Sequence, residues 1–413
     1  MQKAKIIKLS IAITLLILIV TTVFIMSPLV GANAIWGAPR SVGGGETIGT
    51  GGRPEPAGFG YRDAIHFING WSSISRESSV REISEDIILL ESQGRLGLID
   101  AGHPGRGNSI VDYVQRLTGE RRIHFDWIIG THAHGDHKGG FEQLIQHPDV
   151  TIGHAYFRDY RITAGASAEW QTYGPFDRDY PITWGGFYFH LMYVLTNEFN
   201  IPRTMLRHDT PAHRDYRITL GNMNVTIMGA QINSTAINDQ SLTQFVEING
   251  FTALMMADLA SSDSGRAVAM QNERDIRATV VNRQIDVLKV GHHGQAGHRA
   301  ESLNVWRPRV AVVPNGFNRG TFPSGGGQIN GQSDGTARIT AANPQSVQMA
   351  IRDNGGLLVV ICEHGNGYWS PINEFMVRRY SSAWLTGYQL LGQNITDLVA
   401  FAGAQNLPLL RRL

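Results

Sequence analysis

The stretch Thr131-His132-Ala133-His134-Gly135-Asp136-His137-Lys138-Gly139-Gly140 sets four potential metal ligands within six residues. Imidazole nitrogen and carboxylate oxygen together suit Zn²⁺, with Mn²⁺ or Fe as alternatives. Residues two apart in extended backbone point to the same side, so His132 and His134 share a face. Gly135 lets the chain bend before Asp136 and His137. Trp127-Ile128-Ile129, closed by Gly130, reads as the end of a buried strand. Gly139-Gly140 and then Phe141 to Gln146 read as a turn entering a helix. The ligands therefore belong where a strand ends and a helix begins, which is where open α/β sheets bind their ligands. Chance enrichment of a surface loop in histidine gives no reason for that placement.

The elements that must position such a loop can be read on both sides of it. Ala64 to Asn69, Ser84 to Leu90 and Leu96 to Gly102 have strand character, and the third ends in Asp100-Ala101-Gly102. Asn108 is a candidate cap for a helix reaching Leu117, and Phe125 to Gly130 is the strand that delivers the ligand loop. Further on, Met223 to Met228 and Ser241 to Ile248 read as strands, and the apolar Phe251 to Ala257 ends in the carboxylate of Asp258. A helical pattern begins near Ser262. Ile285 to Val290 is a strand that delivers Gly291-His292-His293-Gly294. Val310 to Pro314 and Leu357 to Cys362 read as strands, with a Gly-rich loop over 320–335 and a helix from Pro344 to Arg352 between them. The spacing after Glu374 is helical.

These segments resemble the metallo-β-lactamase superfamily, whose signature is His-x-His-x-Asp-His. The resemblance covers roughly residues 63–365 and implies an α/β fold of the metallo-β-lactamase type, an αββα four-layer sandwich. It also implies roles. Asp100 would accept a hydrogen bond from a ligand or a bound water. Asp258 would bridge two metals, although here it follows Met255-Met256-Ala257 where the family has Leu-Thr-Gly. Leu288-Lys289-Val290-Gly291-His292-His293-Gly294 is similar to the Leu-Lys-Val-x-His-His-Gly-Ser run of one branch, with Gln295 in place of the serine. That branch holds the hydrolase domain of the competence protein ComEC and phosphorylcholine esterase.

On that likeness one of His292 and His293 binds metal and the other lines the pocket; spacing does not choose between them. Asn238 and Ser241, in Asn238-Asp239-Gln240-Ser241-Leu242, match the branch's Asn-x-x-Ser-Leu and become supporting residues of the site. Lactamases and glyoxalases instead carry a metal-binding histidine upstream. His208 and His213 fall in that gap, but their neighbours are polar and they read as surface residues. His103, close behind Asp100, is an outside candidate for a supporting role.

The implied centre is dinuclear. His132 and His134 hold one cation, Asp136, His137 and His292 or His293 hold the other, and Asp258 is shared. Asp136, Asp258, His292 and His293 are the catalytic candidates, and two Zn²⁺ are the expected cofactors. The expected function is an exported metal-dependent hydrolase of a phosphodiester or phosphate ester, either a small molecule or a polymer. The alternatives are a lactonase or β-lactamase, and a catalytically inactive metal-binding module.

The 413 residues, 42% of them hydrophobic, allow a large core, and a net charge of +1 gives no bulk attraction for nucleic acid. Cys362 is the only cysteine, so no intramolecular disulfide forms. Residues 1–34 read as a targeting segment: Lys3, Lys5 and Lys8 precede an apolar run, and Ala32-Asn33-Ala34 gives a cleavage pattern. Cleaved export is the first reading, and an uncleaved membrane anchor is the alternative. Either puts the domain outside the cytoplasm. A Gly/Pro-rich linker is expected over 35–60, the hydrolase domain over 61–370 and a helical tail over 371–413. An aromatic-rich insert over 155–235 reads as a lid on the cleft or an added helical layer.

Overall fold

The computed structural model describes residues 63–68, 85–162, 184–259, 267–280, 284–294, 298–314, 335–344, 346–351, 357–362 and 376–380. All fall in the unit Pro56–Leu413. The expected targeting segment and linker lie outside the described residues, as do most of the tail and residues 163–183 of the aromatic insert. Among the described residues no helix is long and apolar enough to cross a membrane.

β1 (Asp63–Ile68), β2 (Ile87–Ser92) and β3 (Arg95–Ala101) pair antiparallel in sequence order. α1 (Arg106–Thr118) leads to β4 (Ile123–Phe125) and β5 (Trp127–Gly130), and β5 returns parallel to β3. Then come α2 (Gly135–Lys138), α3 (Phe141–Gln146), β6 (Val150–Ile152), β7 (Ala155–Arg158), α4 (Trp184–Tyr193) and β8 (Arg203–Leu206). The second half runs β9 (Tyr216–Leu220), β10 (Met223–Met228), β11 (Thr243–Ile248) and β12 (Phe251–Met255). It continues through α5 (Ala267–Thr279), β13 (Val287–Lys289), α6 (Ala300–Trp306) and β14 (Val310–Val313). It closes with α7 (Gly335–Ala342), β15 (Val347–Ala350), β16 (Leu357–Ile361) and β17 (Met376–Tyr380).

Among the described residues these strands form one sheet ordered β17-β16-β1-β2-β3-β5-β7-β8, another ordered β15-β14-β13-β12-β11-β10-β9, and a two-stranded sheet of β4 and β6. Side-chain alternation along the strands divides the interior into three cores. Leu96, Leu98 and Ile128 face one way, onto Ile110 and Val114 of α1, Leu144 of α3 and Leu191 of α4. Ile99, Trp127 and Ile129 face the other way and meet Val225, Val246, Met255 and Val312 of the second sheet. On that sheet's far side, Leu254, Leu288 and Ala311 pack against Ile276, Trp306 and Ile339 from α5, α6 and α7. Helices, sheet, sheet, helices is the αββα order, so the expected fold class holds.

Several local expectations change. α1 begins at Arg106 behind Gly105 (φ 96°), so Asn108 lies inside the helix rather than capping it. The strand expected over Phe125 to Gly130 is divided between β4 and β5. The late helix is α7, ending before Asn343-Pro344, and Val347–Ala350 is a strand. A residue preceding proline disfavours helical backbone, so Pro344 marks a stop where the sequence reading took a start. Residues 376–380 pair with β16 as β17, so the sheet extends past the expected domain limit at 370 and this part of the tail is not helical. Within the insert, α4 buries Tyr188, Leu191 and Met192 in the first core, which makes it a helical layer and not a lid.

Candidate metal centre

The candidate ligands sit at the C-terminal ends of parallel strands from both sheets. Asp100 is the penultimate residue of β3 and β5 runs into Thr131–His137, while β12 and β13 deliver Asp258 and His292-His293. The backbone there is unusual. Asp100, Ala257, His292 and His293 all have left-handed φ, at 56°, 45°, 47° and 50°. A non-glycine residue in that region costs roughly 1–3 kcal/mol and persists only where its surroundings enforce it. Ala257 adopts this left-handed bend, which suits glycine better, at a steric cost. Gly291 has a different reason: a Cβ there would lie 1.9 Å from the Leu259 carbonyl oxygen.

Two groups of side chains converge around Asp258. His132, His134 and Asp258 form one; Asp86, His137, Asp258 and His293 form the other, and within each group the donor atoms lie within 4.8 Å of one another. His137 Nε2 is 3.1 Å from Asp258 Oδ1, His293 Nε2 is 3.3 Å from the same oxygen, and His132 Nε2 is 3.6 Å from Oδ2. His132 Nε2 and His134 Nδ1 are 3.1 Å apart. His292 Nε2 is 3.9 Å from Asp258 Oδ2, and its ring is 29% exposed where His293 is almost wholly buried. His293 therefore stands in the cluster and His292 at its rim, a distinction that the sequence left open.

The network around the imidazoles fixes which nitrogen faces inward. Asp100 Oδ2 accepts from His137 Nδ1 at 2.7 Å, which turns His137 Nε2 toward Asp258. Asp100 also accepts from the Thr131 backbone N–H and hydroxyl, at 2.8 and 2.7 Å. With its proton committed there, Thr131 Oγ1 can accept from His132 Nδ1 at 3.1 Å, leaving His132 Nε2 to the centre. A carboxylate–imidazole–metal arrangement has this form. Asp136, expected as a ligand, is outside both groups, with Oδ2 3.1 Å from His293 Nε2.

Other expected residues take supporting or distant places. Asn238 Nδ2 donates to His292 Nε2 at 3.2 Å, and Ser241 is buried with Leu242 N–H bound to the Thr131 carbonyl. His213 Nδ1 accepts the Arg207 N–H and His208 Nε2 meets Asn233, so neither joins the two groups. His103 donates its backbone N–H to Glu85.

Asp86 is the residue that sequence reasoning missed. It precedes β2 and is buried beside Lys289, which forms an ion pair with it and donates to the Ala257 carbonyl at 2.6 Å. A lone acid at a strand start has no spacing to betray it. The lysine in an otherwise apolar strand was the available signal, because a buried ammonium needs a carboxylate partner.

The electrostatics differ between the groups. Burial alone would raise the Asp258 carboxyl, but His137 and His293 hold it well below the usual carboxylate range. Burial likewise opposes Asp86, and Lys289, His137 and His293 hold it down. Burial also depresses His137, but Asp258, Asp100 and Asp86 lift it well above the ordinary imidazole value. The same balance brings His293 to about 10. Burial and a neighbouring imidazole instead lower His132, and His134 falls to about 4.

The donor set fits divalent cations. Among the described residues, His137 Nε2, Asp258 Oδ1 and His293 Nδ1 are buried without a partner that meets hydrogen-bond geometry. Buried polar atoms are nearly always satisfied, so a convergent set of orphans calls for an explanation such as an ion. Nitrogen and oxygen donors of this kind hold Zn²⁺ or its neighbours.

Residues 81–229 match the family model described as the metallo-beta-lactamase superfamily. A probable hydroxyacylglutathione hydrolase of Schizosaccharomyces pombe is 28% identical over 76 residues, 18% of this chain and 26% of the relative. The chain thus matches about a quarter of that relative's length. Among solved structures, the metallo-beta-lactamase fold protein YhfI of Bacillus subtilis aligns at 11% identity and TM-score 0.39, covering 69% of this chain and 95% of its own. A Cronobacter sakazakii metallo-beta-lactamase with a HARLDQ motif aligns at 16% identity and TM-score 0.32, covering 51% and 73%.

Proposed function

We propose that this protein is a metal-dependent phosphoesterase acting outside the cytoplasm, with a pair of divalent cations, zinc first, held around Asp258. The observation that carries the metal reading is the convergence of buried, unsatisfied His and Asp atoms on that carboxylate. His132, His134 and Asp258 would hold one cation, and His137, His293 and Asp258 the other, with Asp86 or Asp136 completing it. Bound cations supply a water acidic enough to ionise near neutrality and stabilise charge that develops on oxygen.

The chain's own residues do the rest. Asp100 and Thr131 orient two imidazoles. Asp136, 23% exposed beside His293, faces the approach to the cluster and can steer the attacking water. His292 supports the phosphoester reading. Asn238 occupies its Nε2, leaving Nδ1–H to donate to a phosphoryl oxygen or a leaving group. The likeness to the hydroxyacylglutathione hydrolase favours a second reading, acyl ester or thioester hydrolysis.

Purified protein loaded with zinc, assayed on bis-(p-nitrophenyl) phosphate, nitrocefin, a lactone and a hydroxyacylglutathione thioester, separates these readings. Phosphodiester turnover is expected. Turnover of the thioester or lactone alone sinks the phosphoester reading, and full activity after metal stripping sinks both. Export rests on residues 1–34, and appearance of the protein only in the cytoplasmic fraction of cells would overturn it.

A further inference from the structure

The strained turn that carries His292 and His293 is anchored by groups that contact neither. Gly291 N–H donates to His298 Nε2 at 3.0 Å, so that nitrogen must be bare. His298 Nδ1 faces Glu273 Oε2 at 3.2 Å, and Glu273 Oε1 accepts the Arg299 N–H at 3.0 Å. His298 and Glu273 are both buried. We propose that the His298–Glu273 pair is a positioning device for the His292-His293 turn: Glu273 holds His298 in the one neutral tautomer whose Nε2 can accept the Gly291 N–H. A carboxylate accepts at both oxygens, and here both face donors. The neighbouring Asn272, also on α5, donates to the Asp239 carbonyl at 3.1 Å, beside Asn238. Two consecutive residues of one helix therefore brace both partners of the Asn238–His292 contact.

An isosteric change at Glu273 should therefore have an unusual effect. In Glu273→Gln one end of the side chain becomes a donor. In either orientation, one NH₂ group must face the His298 Nδ1–H or the Arg299 N–H. The relief open to it is to move the His298 proton to Nε2, against Gly291. The position of the turn, and with it His293, is what this disturbs.

The inference rests on the metal reading only for its functional consequence, and two measurements keep the two apart. In the metal-free full chain, ¹H–¹⁵N NMR of the imidazole nitrogens should show His298 protonated at Nδ1; a proton on Nε2 overturns the proposal. Zinc titration against a competing chelator should show Glu273→Gln weakening one equivalent about tenfold, the other unchanged and the melting temperature close to wild type. His298→Gln, whose amide oxygen can accept the Gly291 N–H, should recover most of the affinity lost in His298→Leu. Unchanged zinc binding in Glu273→Gln, equal loss of both equivalents with a lower melting temperature, or equal behaviour of His298→Gln and His298→Leu each overturn it. A wild type that binds no zinc sinks the metal reading instead, and the tautomer then decides this one.

Discussion

The two groups that share Asp258 are built in opposite ways. His132 and His134 come from a single loop, two residues apart, and their environment keeps both neutral: burial lowers each, His134 to about 4. Asp86, His137 and His293 come from three separate segments, and the surrounding carboxylates lift His137 and His293, the latter to about 10. The first group can take a cation without losing a proton, whereas the second must release protons to do so. The difference follows from where the carboxylates lie: Asp100 is 2.7 Å and Asp86 3.7 Å from His137 Nδ1, and Asp86 is 3.3 Å from His293 Nδ1. A buried imidazole among imidazoles sheds its charge, and one among carboxylates keeps it.

The largest effect should come from the residue that both groups need. Asp258→Ala should abolish tight zinc binding and lower hydrolysis on the order of 10³-fold or more, read by elemental analysis and initial rates. Two bound zinc ions in that variant would break the comparison at its centre. A smaller and asymmetric effect is expected from His134→Ala and His293→Ala, each of which should lose one equivalent and keep the other.

The pH dependence sharpens this further. A raised imidazole binds the proton that a cation must displace, so affinity grows as pH rises toward the imidazole's own value. The equivalent lost in His293→Ala should therefore tighten between pH 6 and 9, while the equivalent lost in His134→Ala stays nearly level, because about 4 lies below that range. Calorimetric titrations in buffers of different ionisation enthalpy measure the protons released. Equal release from both equivalents would contradict the assignment. The smallest effect concerns Ala257, whose left-handed backbone suits glycine. Ala257→Gly should leave stability within ~1 kcal/mol of wild type or raise it, as measured by denaturant unfolding, and a large loss would mean that the methyl group is needed for packing.

The same contrast explains what could be read from the chain. His132, His134 and His137 follow one another at a strand end, and local spacing is enough to find them. Asp258 and the His292-His293 pair were found because each ends an apolar strand and fits a known pattern. Asp86, Lys289 and His298 were not found as site residues. Their roles depend on elements from distant parts of the sequence meeting: the start of β2, the end of β13 and the loop before α6. The choice between His292 and His293 also needed three dimensions, because two left-handed residues in succession send neighbouring side chains to different surroundings. The fold was legible where strands are apolar and end sharply. It was less so near Pro344 and in residues 376–380, where β17 takes its conformation from pairing with β16.

Anomalous diffraction from zinc-soaked crystals, recorded on either side of the zinc absorption edge, tests the central claim most directly. Two peaks flanking the Asp258 carboxylate are predicted, one against His132 and His134 and the other against His137 and His293. A single peak remote from Asp258, or none at saturating zinc, would contradict the shared-carboxylate centre.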